Sequence, residues 1–241
     1  MVNAPLTAIF MVGGGVSAIG APANPELALA IGYARPARRP ALTALLNLDS
    51  ALAAVLRTNR EPLVGQIRLT WWHEALTRLD SAPPPAEPVL AALAATVLPC
   101  GVTGARLATM IDGWEQLLDA DPLHVAAMAG FAERRGAGLF AMAGDVLGAR
   151  AADPLATAGT GWALVDLARH LRDRAAGQTA LALARVALDE ATGMRWSRQT
   201  RALGALAQLA RFDAAVPLDQ PLPSGSPRRV ARLAWHRLTG R

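Results

Sequence analysis

Apolar residues along this chain recur at three- and four-residue intervals, and no stretch of useful length alternates apolar and polar as a half-buried strand does. Proline and glycine cut the periodic runs into segments. They predict helices over about 25–34, 39–58, 62–80, 87–98, 103–119, 122–149, 155–173, 179–191, 197–212 and 226–238. Pro62 opens the third, where its missing N–H is not needed. A bend is expected at Gly136-Ala137-Gly138, and Ser81-Ala82-Pro83-Pro84-Pro85 and the stretch 217–227 read as connections, since successive prolines cannot continue a helix.

The third segment has two apolar rows at helical spacing. One is Val64, Ile67, Trp71 and Ala75, the other Leu69, Trp72, Leu76 and Leu79, so both faces can be buried and the helix is expected to be central. Between them run Gln66, Thr70, His73 and Thr77, which must face either solvent or a polar cavity. General burial statistics favour solvent.

Composition sharpens the class. At 241 residues and 52% hydrophobic the chain can bury one sizeable core, and aromatics at 5% with abundant Ala and Leu favour helix over sheet. The expectation is an all-α single domain over 25–241, preceded by a flexible extension over 1–24. The apolar, glycine-interrupted start ends in small residues like a secretory signal but lacks a positive n-region, so an extension is the better reading.

The net charge is +5, and with no lysine every basic residue is arginine. That balance suits an acidic partner: nucleic acid, an anionic membrane face or a diphosphate. No nucleic-acid recognition motif or basic run with interleaved aromatics accompanies it, so nucleic acid is not expected. The lone Cys100 excludes an internal disulfide and a cysteine-cluster metal site, and fits a reducing compartment. His73, His124, His170 and His236 lack metal-ligand spacing, and Gly13-Gly14-Gly15 is no phosphate loop. Glu115 and Asp119 form an i,i+4 carboxylate pair, which reads as solvent-facing.

Four segments, in order, carry a resemblance. They are Ile67-Arg68-Leu69-Thr70-Trp71-Trp72-His73-Glu74-Ala75-Leu76; Met110-Ile111-Asp112-Gly113-Trp114-Glu115; Phe131 to Phe140 with its Gly136-Ala137-Gly138; and Gly161-Trp162-Ala163-Leu164-Val165-Asp166-Leu167-Ala168-Arg169-His170-Leu171-Arg172-Asp173. Together, over roughly 30–210, they resemble the squalene/phytoene synthase family. The resemblance implies an isoprenoid-synthase-type helical bundle around a central cavity, where active members condense two prenyl diphosphates head to head. Carboxylates at i and i+4 on two facing helices hold magnesium there, which neutralises the departing diphosphate.

The chain departs from that pattern at both aspartate-rich motifs. In the stretch matching the first, the acids fall on Ala53, Ala54 and Arg57, and Asp49 is the only acid between Glu26 and Glu61. In the second, Asp173 is present but Gly177 stands four residues on, and Ala168, Arg169 and His170 replace the usual residues. One aspartate per helix cannot organise a cluster of hard cations, although an arginine can contact a phosphate directly. The candidates for lining the cavity or facing a diphosphate are therefore Asp49, Arg57, His73, Asp166, Arg169, His170 and Asp173, with Asp173 the residue a metal could still use. The alternative for Asp166, Arg169, His170 and Asp173 is a solvated, mutually paired helix face.

Two functions follow. The first is a non-catalytic binding or assembly protein, like the branch of the family that assists assembly of respiratory complex I, with a prenyl or other lipid ligand and a protein partner. The second is an active magnesium-dependent prenyltransferase using farnesyl or geranylgeranyl diphosphate. The basic, partly amphipathic stretch Arg228 to Leu238 either packs on the core or lies on an anionic membrane. The expected location is the cytoplasm, peripheral to the inner membrane.

Overall fold

The computed structural model describes residues 24–58, 62–118 and 123–241. The expected N-terminal extension, the glycine triplet and Asp119 of the carboxylate pair lie outside them. Eleven α-helices are found among the described residues, and no strand: α1 Pro25–Ile31, α2 Arg39–Thr58, α3 Pro62–Arg78, α4 Pro88–Thr96, α5 Gly104–Leu118, α6 Val125–Phe131, α7 Gly138–Leu147, α8 Leu155–His170, α9 Arg174–Gly193, α10 Arg201–Ala215 and α11 Pro227–Thr239. The all-α class expected from the periodicity is what forms. No single described helix is long and apolar enough to cross a membrane.

One continuous apolar core runs from Ala30 on α1 to Leu233 on α11. Its centre is α8, which packs against α7, α9 and α10 and buries Ala158, Ala163, Leu164, Val165, Leu167 and Ala168. Small residues let the neighbours approach α8 closely. The expected central helix, α3, is peripheral: it packs on α5 by one face, burying Leu69, Trp72 and Leu76, with Leu79 buried just past its end. Ile67 and Trp71 of the other row stay 60% and 45% exposed. The row Gln66, Thr70, His73 and Thr77 is exposed too, so α3 carries its polar row and the Ile67–Trp71 part of one apolar row to solvent, while Ala75 of that row is buried and Val64 half-buried.

Two irregularities position the site. The segment between α6 and α7 is not simply bent: Ala132–Ala137 forms a π-helical turn. It is pressed onto α8, since a Cβ added at Gly159 would meet the Gly136 carbonyl oxygen at 2.2 Å. Two helical backbones touch here because neither partner carries a side chain. The second irregularity is a break where one helix was expected to continue to Asp173. Leu171 is extended (ψ 136°), and the Asp173 side chain caps α9 by accepting from the Ala175 and Ala176 N–H groups at 2.8 and 3.2 Å.

Candidate functional site

A cavity of about 340 Å³ lies between α1, α2, α8, α10 and the approach to α11. Leu27, Leu46, Trp162, Val165, Leu206 and Leu209 form its apolar wall. Glu26, Asp49, Asp166 and Asp213 belong to its polar wall, and two buried arginines, Arg135 outside the lining and Arg229 within it, each bridge two of these carboxylates.

The first is Arg135, 2% exposed, which the π turn aims between α2 and α8. Its Nε and Nη2 donate to Asp49 Oδ1 and Oδ2 at 2.6 and 2.7 Å, and its Nη1 donates to Asp166 Oδ2 at 2.6 Å. The guanidinium also lies over three rings, 4.3 Å from Trp114, 4.9 Å from Trp162 and 5.2 Å from Phe131. Bidentate pairing and aromatic stacking are both arginine chemistry that lysine would not reproduce. Burial alone would lower the Arg135 pKa, but the Asp49 and Asp166 charges override it and raise it.

Asp166 is shared. Arg57 Nη2 donates to its two oxygens at 3.0 and 2.9 Å from α2. His170 Nδ1 stands 2.7 Å from the Asp166 carbonyl oxygen and 3.3 Å from Oδ1. A carbonyl only accepts, so Nδ1 carries the ring proton, and the 3.1 Å approach of Arg57 Nη2 to Nδ1 is a close contact between donors. Burial pushes the Asp166 carboxyl up, but Arg135, Arg57 and His170 outweigh it and hold it well below the usual range.

The second arginine is Arg229, at the other side of the cavity. It donates to Glu26 Oε1 and Oε2 at 2.8 and 2.7 Å and to Asp213 Oδ1 at 2.5 Å, tying α1 to α10 and α11. Gly225 N–H adds a bond to Glu26 at 2.8 Å. Burial is the largest single influence on the Glu26 carboxyl and raises it, but the Arg229 bond, the Gly225 bond and the Arg229 charge together outweigh it and the carboxyl is lowered; at Asp213 burial wins and the carboxyl is raised.

Residues 22–217, more than three quarters of the chain, match the squalene/phytoene synthase family model. The chain belongs to the squalene/phytoene synthase family. A crystal structure of a dehydrosqualene synthase in complex with ligand superposes with a TM-score of 0.70, covering 90% of this chain and 91% of that one at 14% identity. At that identity the likeness is one of fold. No curated protein matches the chain in sequence.

Within this family fold, Asp49, Asp166, Arg169 and His170 line the cavity, and Arg57 reaches it through Asp166. Arg169 is not aimed at a ligand: its Nη groups donate to the carbonyls of Asp213, Val216 and Pro217 at 2.5, 2.6 and 3.0 Å, closing the end of α10. His73 is exposed on α3 and does not line the cavity. Asp173 is exposed and caps α9, so it does not share the α8 face with Asp166, Arg169 and His170. Sequence reasoning overlooked Arg135, Glu26, Asp213 and Arg229. Arg135 follows Glu133 and Arg134 in a run of three charged residues, so nothing local singles it out; the Glu26–Arg229 pair, 203 residues apart, has no local signal either.

The donor set does not suit the magnesium cluster that the family resemblance implies. Asp49 and Asp166 come from facing helices, one carboxylate from each, and both are already taken by guanidinium groups. Two aspartates and two arginines leave the cluster formally neutral, so a cation would have to displace Arg135 from a buried bidentate pair. Among the described residues no group of three or more His, Cys, Asp or Glu side chains could hold a metal ion.

Proposed function

We propose that this squalene/phytoene synthase family chain is a non-catalytic member that binds a lipid or prenyl ligand, or a protein partner, as an assembly factor for a respiratory complex. It would work in the cytoplasm, peripheral to the inner membrane. The observation that carries the reading is Arg135, buried between Asp49 and Asp166. Head-to-head condensation needs a concentrated positive charge free to receive a departing diphosphate. Here the positive charge is internally paired, and the carboxylates that would recruit metal hold a guanidinium instead. The cavity, at the lower end of the roughly 300–1,000 Å³ typical of ligand sites, retains an apolar wall suited to part of a lipid chain.

The rival reading is an active magnesium-dependent prenyltransferase. The observation in its favour is that Asp49 and Asp166 face one cavity from two helices. Thermal unfolding with magnesium, with a non-hydrolysable farnesyl diphosphate analogue and with both, followed by product analysis on farnesyl and geranylgeranyl diphosphates, separates the two. The non-catalytic reading expects no stabilisation that requires metal and analogue together, and no product. Joint stabilisation with diphosphate release would overturn it.

A further inference from the structure

A second recess of about 320 Å³ lies between α9, α10 and α11 and shares no lining residue with the central cavity. Arg185, Arg211, Arg228 and Arg232 line it, against the single carboxylate of Asp189. Four cations and one anion leave a formal charge of +3. One of the arginines is anchored by backbone: Arg185 donates through Nε and Nη2 to the Ala214 carbonyl at 3.1 and 2.8 Å, while Arg211 Nε donates to Asp189, also in the lining, at 2.7 Å.

The floor supplies an independent observation. Gln208 lines the recess, is 1% exposed, and accepts from Arg232 Nε at 3.1 Å through Oε1. A guanidinium can only donate, so the amide oxygen must face it, which leaves Nε2 as the donor. That buried Nε2 has no hydrogen-bond partner. Buried donors are normally satisfied, so an unpaired one in the floor of a cationic recess calls for an acceptor.

We propose that this recess binds a phosphate-bearing anion, whose oxygens take the N–H groups of Arg185, Arg228, Arg232 and Gln208. Several acceptor oxygens carrying negative charge are what a site of converging N–H donors fits best. On the same helix as Arg228 and Arg232, α11 turns Val230, Trp235 and Leu238 to solvent. A phospholipid headgroup, with its chains beside those residues, presents the same chemistry as a free phosphate ester. The proposal stands whether or not the central cavity is catalytic.

The test uses the full chain with two probes: inorganic pyrophosphate in calorimetric titration, and flotation with phosphatidylcholine vesicles with and without phosphatidylglycerol. Two variants accompany it, R185Q/R232Q and, should that pair fail to fold, R211Q/R228Q at exposed positions. Saturable pyrophosphate binding, weakened at least about tenfold by the variants, identifies a free phosphate-bearing anion. Phosphatidylglycerol-dependent flotation lost in the variants, without pyrophosphate binding, identifies the headgroup. Binding of neither probe, or binding that the variants leave unchanged, overturns the proposal.

Discussion

Arg135 holds Asp49 in a fork, Nε to Oδ1 at 2.6 Å and Nη2 to Oδ2 at 2.7 Å, with both side chains removed from water. Breaking such a pair from one side strands a buried charge, whereas replacing both members with apolar residues removes the desolvation cost as well. Arg135→Met should therefore destabilise the protein by about 3–5 kcal/mol, and Asp49→Leu/Arg135→Met should recover part of that loss, since Asp166 then keeps Arg57 as its only guanidinium partner. Denaturant midpoints for the two single variants and the double variant check this. Additive losses would mean that the two residues are not energetically coupled.

The break at Leu171 accounts for one misplacement and the π turn for another, and both are shifts of phase. Leu171 keeps the apolar rhythm of α8, so a reader of the pattern carries the helix on to Asp173, and Gly177 discourages starting the next one so early. In Phe131 to Gly138, an extra residue in the turn rotates everything after it. The run Glu133, Arg134, Arg135 therefore gives no sign that the third is the one driven inward. By contrast, α2 is legible end to end, and the family resemblance was enough to bring Asp49, Arg57, Asp166 and His170 into one neighbourhood. Two exposed apolar side chains on α3 defeated the burial pattern because periodicity marks a face without saying whether anything covers it.

That correction on α3 can be tested with adjacent residues. Trp72 is 8% exposed and Trp71 45%. Trp72→Ala should cost about 3–5 kcal/mol, in the range of buried aromatic deletions, and Trp71→Ala about 1 kcal/mol or less. Equal losses in urea unfolding would restore α3 to the centre of the molecule.

His236 gives the fold a pH dependence. The ring is fully buried; burial chiefly, with the Arg201 and Arg232 charges, lowers its pKa from 6.5 to about 4 despite its bond to the Arg201 carbonyl. Between these values the unfolded chain takes up a proton that the folded chain refuses. The stability is thus fully present above about pH 6.5 and falls as the pH drops towards 4, by on the order of 3 kcal/mol from this group. His236→Gln should flatten that part of the stability profile relative to the parent; unfolding midpoints measured from pH 4 to 7 would show parallel curves if the ring is not the cause.

The contact of α8 with the π turn depends on bare backbone. Gly159→Ala would set its Cβ 2.2 Å from the Gly136 oxygen and 2.6 Å from the Gly136 carbonyl carbon, neither of which a rotamer change can relieve. A loss of about 1–3 kcal/mol or more is expected. Gly193, with nothing within 4 Å of its added Cβ, should accept alanine with no loss. Calorimetric melting of the two variants gives the comparison, and a Gly159→Ala protein as stable as the parent would remove the packing argument.

The π turn also sets how this chemistry could come and go over generations. A π turn is an α-helix carrying one additional residue, and each residue turns the helix by about 100°. Deleting a single codon within 132–134 would let α6 and α7 merge into one regular helix and turn Arg135 by about 100° relative to α6, away from the gap between α2 and α8. A frame-preserving insertion or deletion, without any exchange of one amino acid for another, is then enough to connect or disconnect the two aspartates.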